Sequence, residues 1–421
     1  MRPAFALSLL LLMTSPVLAQ QTGPSPAPAP PPAPYPTAAP PVAPGPFTLP
    51  SADGQSRLKV GGMIQTHVTA YTGGRTGNSA FTLRRVRPIL DGTLYNWVDF
   101  RLMPDFGEGK VVLQDAFIEL RLRPQVHLRT GKFKVPYSLE RLQAAADVLF
   151  VERSLAGNVI PVRDVGVMLM GVPGKSGFEW EVGAFNGVYD SGATDGNGDN
   201  ALELAGRLFY QPFQSRPESR LKGLGFGIAG TTGSAREALN NQTFRTAGRN
   251  AFFRYTEGVA GDGQRTRLAP QFFFYTGSFG LLGEHFTTRQ KIRKDALTTT
   301  DEITGFNLQA SYVLTGEATS FRNVVPRHPF DPATGKGGAY EVAVRYAQVR
   351  NDGTTFRLGF ANPASSAEKA SAWTVGMNWY ATRQVKAKVN FERTDFGRSL
   401  AFSSGKQRVE NAILAELQLG F

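Results

Sequence analysis

The chain has 421 residues, 46 Lys and Arg against 34 Asp and Glu, a net charge of +12, and no cysteine. Absence of cysteine excludes a disulfide scaffold, thiolate chemistry and Cys-type zinc sites. Its four histidines, His67, His127, His285 and His328, show no HxxxH or HxH spacing, so neither a metal nor a cofactor is expected.

In chain order, Arg2 precedes an apolar stretch from Ala4 to Met13 and then Val17-Leu-Ala19. This reads as a secretory signal over residues 1–19, cut after Ala19. It is too short to cross a bilayer as a helix, and no later segment is long and apolar enough. Residues 20–57 are rich in Pro and Ala and are expected to form an extended, disordered periplasmic segment. Export argues against nucleic acid as the anionic partner of this basic chain; lipid headgroups and small anions remain.

From residue 58 to 421 the pattern is strand after strand, broken at Gly, Asn and Asp. Leu58, Val60, Ile64 and Val68 share one face of the first strand, and Lys59, Gln65 and His67 the other. Later runs repeat this: Trp373, Val375 and Met377 against Thr374 and Asn378, then Val385, Ala387 and Val389 against Lys386, Lys388 and Asn390. The last run, Ile413 to Phe421, places Ile413, Ala415, Leu417, Leu419 and Phe421 on one side and stops on an aromatic residue. Lipid offers no water to an open sheet edge, so a last strand patterned to its end fits a barrel that closes on its first strand. About sixteen or seventeen such runs predict an all-β, transmembrane antiparallel β-barrel of 16 strands, a single domain over 58–421. Trp379, Tyr380, Tyr275 and Tyr210 at strand ends suit the membrane interface. A β-sandwich would show the same alternation without such aromatic ends.

One stretch departs from period 2. Ser138 to Asp147 consists of helix formers, and Val148 to Arg163 has no clean period. An irregular insertion between two barrel strands predicts a loop folded into the lumen as a constriction; an external loop is the alternative.

Arg84, Arg85 and Arg87, followed by Arg141 and Arg153, carry guanidinium groups whose forked donors match tetrahedral oxyanions. A ring of arginine in a narrow pore attracts anions and repels cations. A regular strand cannot point both Arg84 and Arg85 inward, so if both bind an anion the backbone must bulge there. A lone RRxR run is otherwise a solvated basic patch. Arg265 and Arg267, two apart, read as a ladder leading to the constriction. Arg245 and Arg249 share a face if that stretch is a strand, or else bind lipopolysaccharide phosphates from an outer loop. Lys386 and Lys388 share a polar face suited to the lumen.

Several segments together resemble the phosphate-selective porins O and P of bacterial outer membranes. They are Leu83-Arg84-Arg85-Val86-Arg87, Gln114-Asp115-Ala116-Phe117-Ile118-Glu119, Gly131-Lys-Phe-Lys-Val-Pro-Tyr-Ser-Leu-Glu140, Val151-Glu-Arg153 and Arg163-Asp-Val-Gly166. Pro270-Gln-Phe-Phe-Phe-Tyr-Thr-Gly277, Gly280-Leu-Leu-Gly-Glu284 and Gly376-Met-Asn-Trp-Tyr380 continue the series. The resemblance runs from residue 58 to 421 and implies a homotrimer of 16-stranded barrels with an arginine-rich, constricted lumen. It also implies that Arg84, Arg85 and Arg153 are central anion-binding residues, that Arg141 occupies a basic position usually held by Lys, and that Asp115 is an acidic pore residue. Arg87 stands where the family often has an aromatic residue, and Ala144 and Ala145 where it can offer serine hydroxyls. Those departures leave phosphate, pyrophosphate and other oxyanions open.

The expected function is passive, anion-selective uptake of phosphate or a related oxyanion across the bacterial outer membrane, with lipid around the barrel. The alternatives are a general porin without a specific site and a plugged structural or adhesive barrel. No Ser-His-Asp set or Walker motif suggests an enzyme. Asp190 to Asp199 loosely resembles a calcium loop but lacks its flanking helices and terminal Glu, and reads as a polar surface loop.

Overall fold

The computed structural model describes residues 47–421 apart from 74, 75, 194 and 241. The expected signal peptide and most of the Pro/Ala-rich segment lie outside the described residues. Sixteen strands form the wall. The first eight are β1 (Arg57–Thr72), β2 (Ala80–Leu94), β3 (Val98–Asp105), β4 (Val112–Arg123), β5 (Val126–Lys134), β6 (Arg163–Gly171), β7 (Phe178–Phe185) and β8 (Glu203–Tyr210). The second eight are β9 (Leu224–Ala235), β10 (Ala260–Thr276), β11 (Phe279–Lys294), β12 (Leu297–Val313), β13 (Ala339–Asn351), β14 (Lys369–Tyr380), β15 (Val385–Phe402) and β16 (Gly405–Gly420). Each pairs antiparallel with its neighbours in sequence, and β16 pairs with β1 to close the barrel. Gly62 and Phe421 exchange both backbone hydrogen bonds at 3.0 Å. The seam therefore runs to the last residue.

The burial pattern is the reverse of a soluble protein's. Ile64, Trp373, Val375, Val389 and Leu417 are exposed on the outer wall, while Gln65, Thr374, Asn378, Lys388 and Gln418 between them are buried. Apolar side chains outside and polar ones inside satisfy lipid and a polar lumen respectively. Tyr210 lies on the outer face as expected. Tyr380 and Tyr275 do not. Tyr380 follows outward Trp379, so the pleat turns it inward, where its hydroxyl donates to Glu341 at 2.6 Å. Tyr275 shares the inner face with Phe273, their ring centroids 5.3 Å apart.

The sheet also starts earlier than the composition indicated. Thr48–Pro50 pairs antiparallel with Arg57–Lys59, and Phe47 meets the Phe421 ring edge-on at 5.7 Å. A three-residue strand is too short to show a period, so only its contacts reveal it.

Residues 135–162 leave the wall between β5 and β6 and cross the lumen. Tyr137 O accepts from Gln271 Nε2 at 2.8 Å, and Ser138 Oγ donates to Glu284 at 2.9 Å. Further on, Lys388 Nζ donates to Val148 O at 2.6 Å, Asn378 to Leu149 O at 3.0 Å, and Val151 N donates to Asn390 Oδ1 at 2.7 Å. The loop is thus riveted to β10, β11, β14 and β15, and the inward placement expected from the sequence holds. Its helix α1 is only Leu139–Leu142, capped by Ser138. Lys134 Nζ takes Leu142 O and Gln143 O, and Arg153 takes Glu140 O and Gln143 O, so cationic side chains replace the next helical turn.

A second inward element was not foreseen. Between β9 and β10, Thr243–Arg245 and Ala251–Arg254 form a small hairpin. Phe244, Phe252 and Phe253 are buried in one apolar cluster with residues of the insertion. Its aromatic residues look like wall strand in the sequence, and only the pairing separates them from the wall.

Candidate functional site

The expectation that Arg84 and Arg85 both point inward required a bulge, and the structure has one. Across β1 and β2, Gln65 pairs with Arg85 but Thr66 pairs with Leu83, leaving Arg84 as the extra residue. Leu83 stays on the lipid face and Arg85 on the lumen face, as each partner dictates, and Arg84 is added to the inner side. The turn at Phe106–Lys110 closes over this bulge. A side chain on Gly107 would meet Arg84 O at 2.4 Å; only glycine permits that approach.

A cavity of about 350 Å³ lies where the bulge, the inward loop and the hairpin converge. Ten cationic side chains border it against three carboxylates. The cations are Arg84, Arg85, Arg87, Lys110, Lys134, Arg141, Arg153, Arg163, Arg245 and Arg249; the carboxylates are Asp105, Glu108 and Glu152. Positive charge in such excess around a confined space attracts anions and repels cations.

The cations divide by partner. Arg84 binds Glu152 through Nε at 2.5 Å and Nη2 at 3.4 Å, and reaches Glu108 at 3.0 Å. Arg85 donates to Gln65 at 2.6 Å and to Glu152 at 3.4 Å. Arg87 pairs with Asp105 at 2.7 Å, and Arg163 with Asp115 at 2.7 Å. Arg249 is bound to Glu108. In contrast, Arg141 donates only to Gly157 O at 2.5 Å and Asn158 Oδ1 at 3.3 Å, while Arg153 and Lys134 donate to backbone carbonyls. These three form no ion pair among the described residues.

Burial pulls the Arg141 guanidinium down to about 10, against the pull of Glu140, and burial with the neighbouring Arg141 pulls Arg153 down as well. Both remain cations at neutral pH. Burial would raise the Glu152 carboxyl, but Arg84 and Arg85 outweigh it and hold Glu152 well below the usual carboxylate range. It is an anion.

Of the eight residues singled out from the sequence, Arg84, Arg85, Arg87, Arg141 and Arg153 border this cavity. Asp115 adjoins it through Arg163. Arg265 and Arg267 stand elsewhere on the inner wall. Arg265 binds Glu203 at 3.0 Å and Glu237 at 2.8 Å; Arg267 binds Glu203 at 2.6 Å and Asp190 at 2.7 Å. Their remaining donors hold Gly187 O and Val188 O, so they clamp the segment between β7 and β8. Asp190 belongs to that clamp, and Ser191, Gly192 and Ala193 border the cavity, so the stretch read as a surface loop is partly internal.

Arg245 and Arg249 do not share a strand face: Arg245 ends a three-residue strand and Arg249 occupies a turn with φ 72°. Both reach the cavity because the hairpin folds inward. Lys386 and Lys388 do face the lumen, where they hold the carbonyls of Ala146, Val148 and Phe150. Lys134 and Arg163 were overlooked although they flank the insertion at its two ends. That position, on the strand ends from which an inward loop departs, was the available signal. Arg345 was missed too; it stacks on Phe150 at 4.3 Å and donates to Glu152 O at 3.0 Å.

Comparison with known proteins follows the same lines. The family model for phosphate-selective porin O and P matches residues 58–414. Porin O of Pseudomonas aeruginosa is 22% identical over 370 residues, covering 81% of this chain and 84% of that protein. Among solved structures, the outer-membrane channel DcaP of Acinetobacter baumannii superposes with a TM-score of 0.58 at 11% identity, over 89% of this chain and 99% of its own. OmpT of Vibrio cholerae in its trimer form gives 0.55 at 8% identity, over 87% and 99%.

Proposed function

Because this chain belongs to the phosphate-selective porin O and P family, and is therefore a porin of the bacterial outer membrane rather than an enzyme, we propose that it conducts small oxyanions, phosphate among them, through an arginine-lined constriction. The observation that carries this reading is the cavity with ten cations and three carboxylates, in which Arg141, Arg153 and Lys134 lack an acidic partner. An anion drawn to that excess would be held by charge-assisted hydrogen bonds, each stronger than a neutral one. Several such donors along a short path let the ion pass from one to the next. No covalent step is involved, and the gradient alone sets the direction.

Arg84, Arg85, Arg87, Arg141 and Arg153 are the proposed anion contacts on the wall and loop, with Lys134 and Arg163 beside them. Asp115 neutralises Arg163 and tempers the charge. Arg87, held by Asp105, contributes field more than direct donors. In planar bilayers containing the purified protein, chloride current should fall in saturable steps as inorganic phosphate is added. A chloride current indifferent to phosphate would leave a general porin.

The oligomer proposed is a homotrimer. The wall from β3 to β8 is built of strands only 8 to 12 residues long, against 12 to 18 from β10 to β16. A low wall shields less lipid-facing surface by itself, and a neighbouring copy would cover it. Unheated protein should migrate on a denaturing gel as a species larger than the boiled monomer; migration as a monomer before heating would exclude a stable trimer.

A further inference from the structure

Two of the three arginines that the resemblance made central, Arg84 and Arg85, are already occupied. Arg84 presents its fork to the Glu152 carboxylate through Nε at 2.5 Å and Nη2 at 3.4 Å, the arrangement guanidinium uses for a bound oxyanion. Arg85 Nη2 shares the same carboxylate at 3.4 Å. We propose that Glu152 is a tethered counter-anion, occupying the Arg84–Arg85 seat in the empty pore and exchanging with the permeating oxyanion. The proposal rests on the anion-conducting reading above and names the residue that sets its affinity.

Three features of the geometry favour exchange over a fixed ion pair. First, the Glu152 backbone is clamped: Val151 N donates to Asn390, Glu152 O accepts from Arg345, and Ser154 N and Oγ donate to Glu140. Only the side chain is left to move, so the carboxylate can leave the seat but cannot diffuse away. Second, the carboxylate has a further basic neighbour: His67 Nδ1 lies 3.6 Å from Glu152 Oε1, while the other ring nitrogen of His67 meets Glu416 at 2.8 Å. Third, Arg141 and Arg153 border the same cavity with no carboxylate of their own. An oxyanion arriving there can engage them first and then compete for Arg84 and Arg85.

The consequence is specific. A seat that is never empty binds its ion less tightly than bare guanidinium would, because each binding event must displace a carboxylate. The returning carboxylate in turn helps expel the ion. Conduction requires just such release from a site made of strong donors. Glu152 would then trade affinity for turnover.

The test is single-channel block by inorganic phosphate of chloride current, on the full-length protein in planar bilayers. Glu152→Gln keeps the shape and removes the charge. It should lower the half-blocking phosphate concentration by about tenfold, equivalent to about 1.4 kcal/mol, and lengthen each blocked interval. Were Glu152 only a scaffold holding Arg84 and Arg85 in place, the variant would loosen them, and block would weaken or stay as it is; either result overturns the proposal. Should that variant fail to assemble, Glu152→Asp keeps the charge and draws it back by one methylene. It should shift block the same way by a smaller factor, and block unchanged or weaker than wild type would again overturn the idea. A wild-type pore with no phosphate block removes the functional reading and this proposal together. Normal wild-type block with unaltered variants removes this proposal alone.

Discussion

Arg141, Arg153 and Lys134 differ from Arg84, Arg85, Arg87, Arg163 and Arg249 in what they touch. Carbonyl oxygens satisfy their donors without cancelling their charge, whereas Arg87 and Arg163 each face a carboxylate at 2.7 Å. A buried, hydrogen-bonded but unpaired guanidinium is poised to gain from an arriving anion, since its own desolvation has already been met within the fold. Arg141→Gln and Arg153→Gln should therefore each weaken phosphate binding by about 1.5–3 kcal/mol, the scale of a hydrogen bond to a charged group. Half block would then need roughly tenfold more phosphate or beyond, measured by titrating phosphate against chloride current. Arg289→Gln, on an exposed pair with Glu302, should leave the titration where it is. If both loop variants titrate like wild type, the anion is held elsewhere.

At the scale of the element, three features build the site: the bulge in β2, the loop between β5 and β6, and the hairpin between β9 and β10. Arg84 is an insertion into an otherwise regular ladder, with Leu83 and Arg85 each opposite the partner that alternation assigns. Deleting Arg84 should restore continuous pairing without moving any other side chain to the wrong face. The prediction is a barrel that still assembles and conducts chloride, with phosphate block weakened by the loss of one guanidinium. Failure to assemble would mean that the bulge is needed for the wall rather than for the pore.

The bulge was legible in the sequence only as a condition, because two adjacent inward arginines cannot share a regular strand. The wall was legible throughout, since period-2 alternation between lipid and lumen leaves its mark on every strand, as at Leu417 and Gln418. The inward loop was legible as the one place where that period failed. What stayed hidden was pairing between distant segments. Arg84 and Glu152 are 68 residues apart in sequence, and Arg267 and Asp190 lie on different segments as well, so neither neutralisation could be read from spacing. The hairpin at Phe244 to Phe253 was hidden for a different reason: an apolar strand buried inside the lumen and one facing lipid have the same composition.

The described part of the molecule is an inverted protein, a barrel with segments between β5 and β6, β7 and β8, and β9 and β10 turned into its interior. Closure by β16 on β1, sealed at Gly62 and Phe421, leaves no free edge in lipid, and the rivets from β10 to β15 fix the loop that carries Arg141 and Arg153. The net charge of +12 matters less than where charge is left uncancelled, and the proposed function puts the excess around the cavity on the path of the ion. Charge selection by the pore is therefore the central property. The most direct measurement is the reversal potential of wild-type channels in a planar bilayer separating two KCl concentrations. It should lie near the chloride equilibrium potential, because a lumen bordered by unpaired guanidinium excludes potassium. A reversal potential near that of potassium would contradict the account.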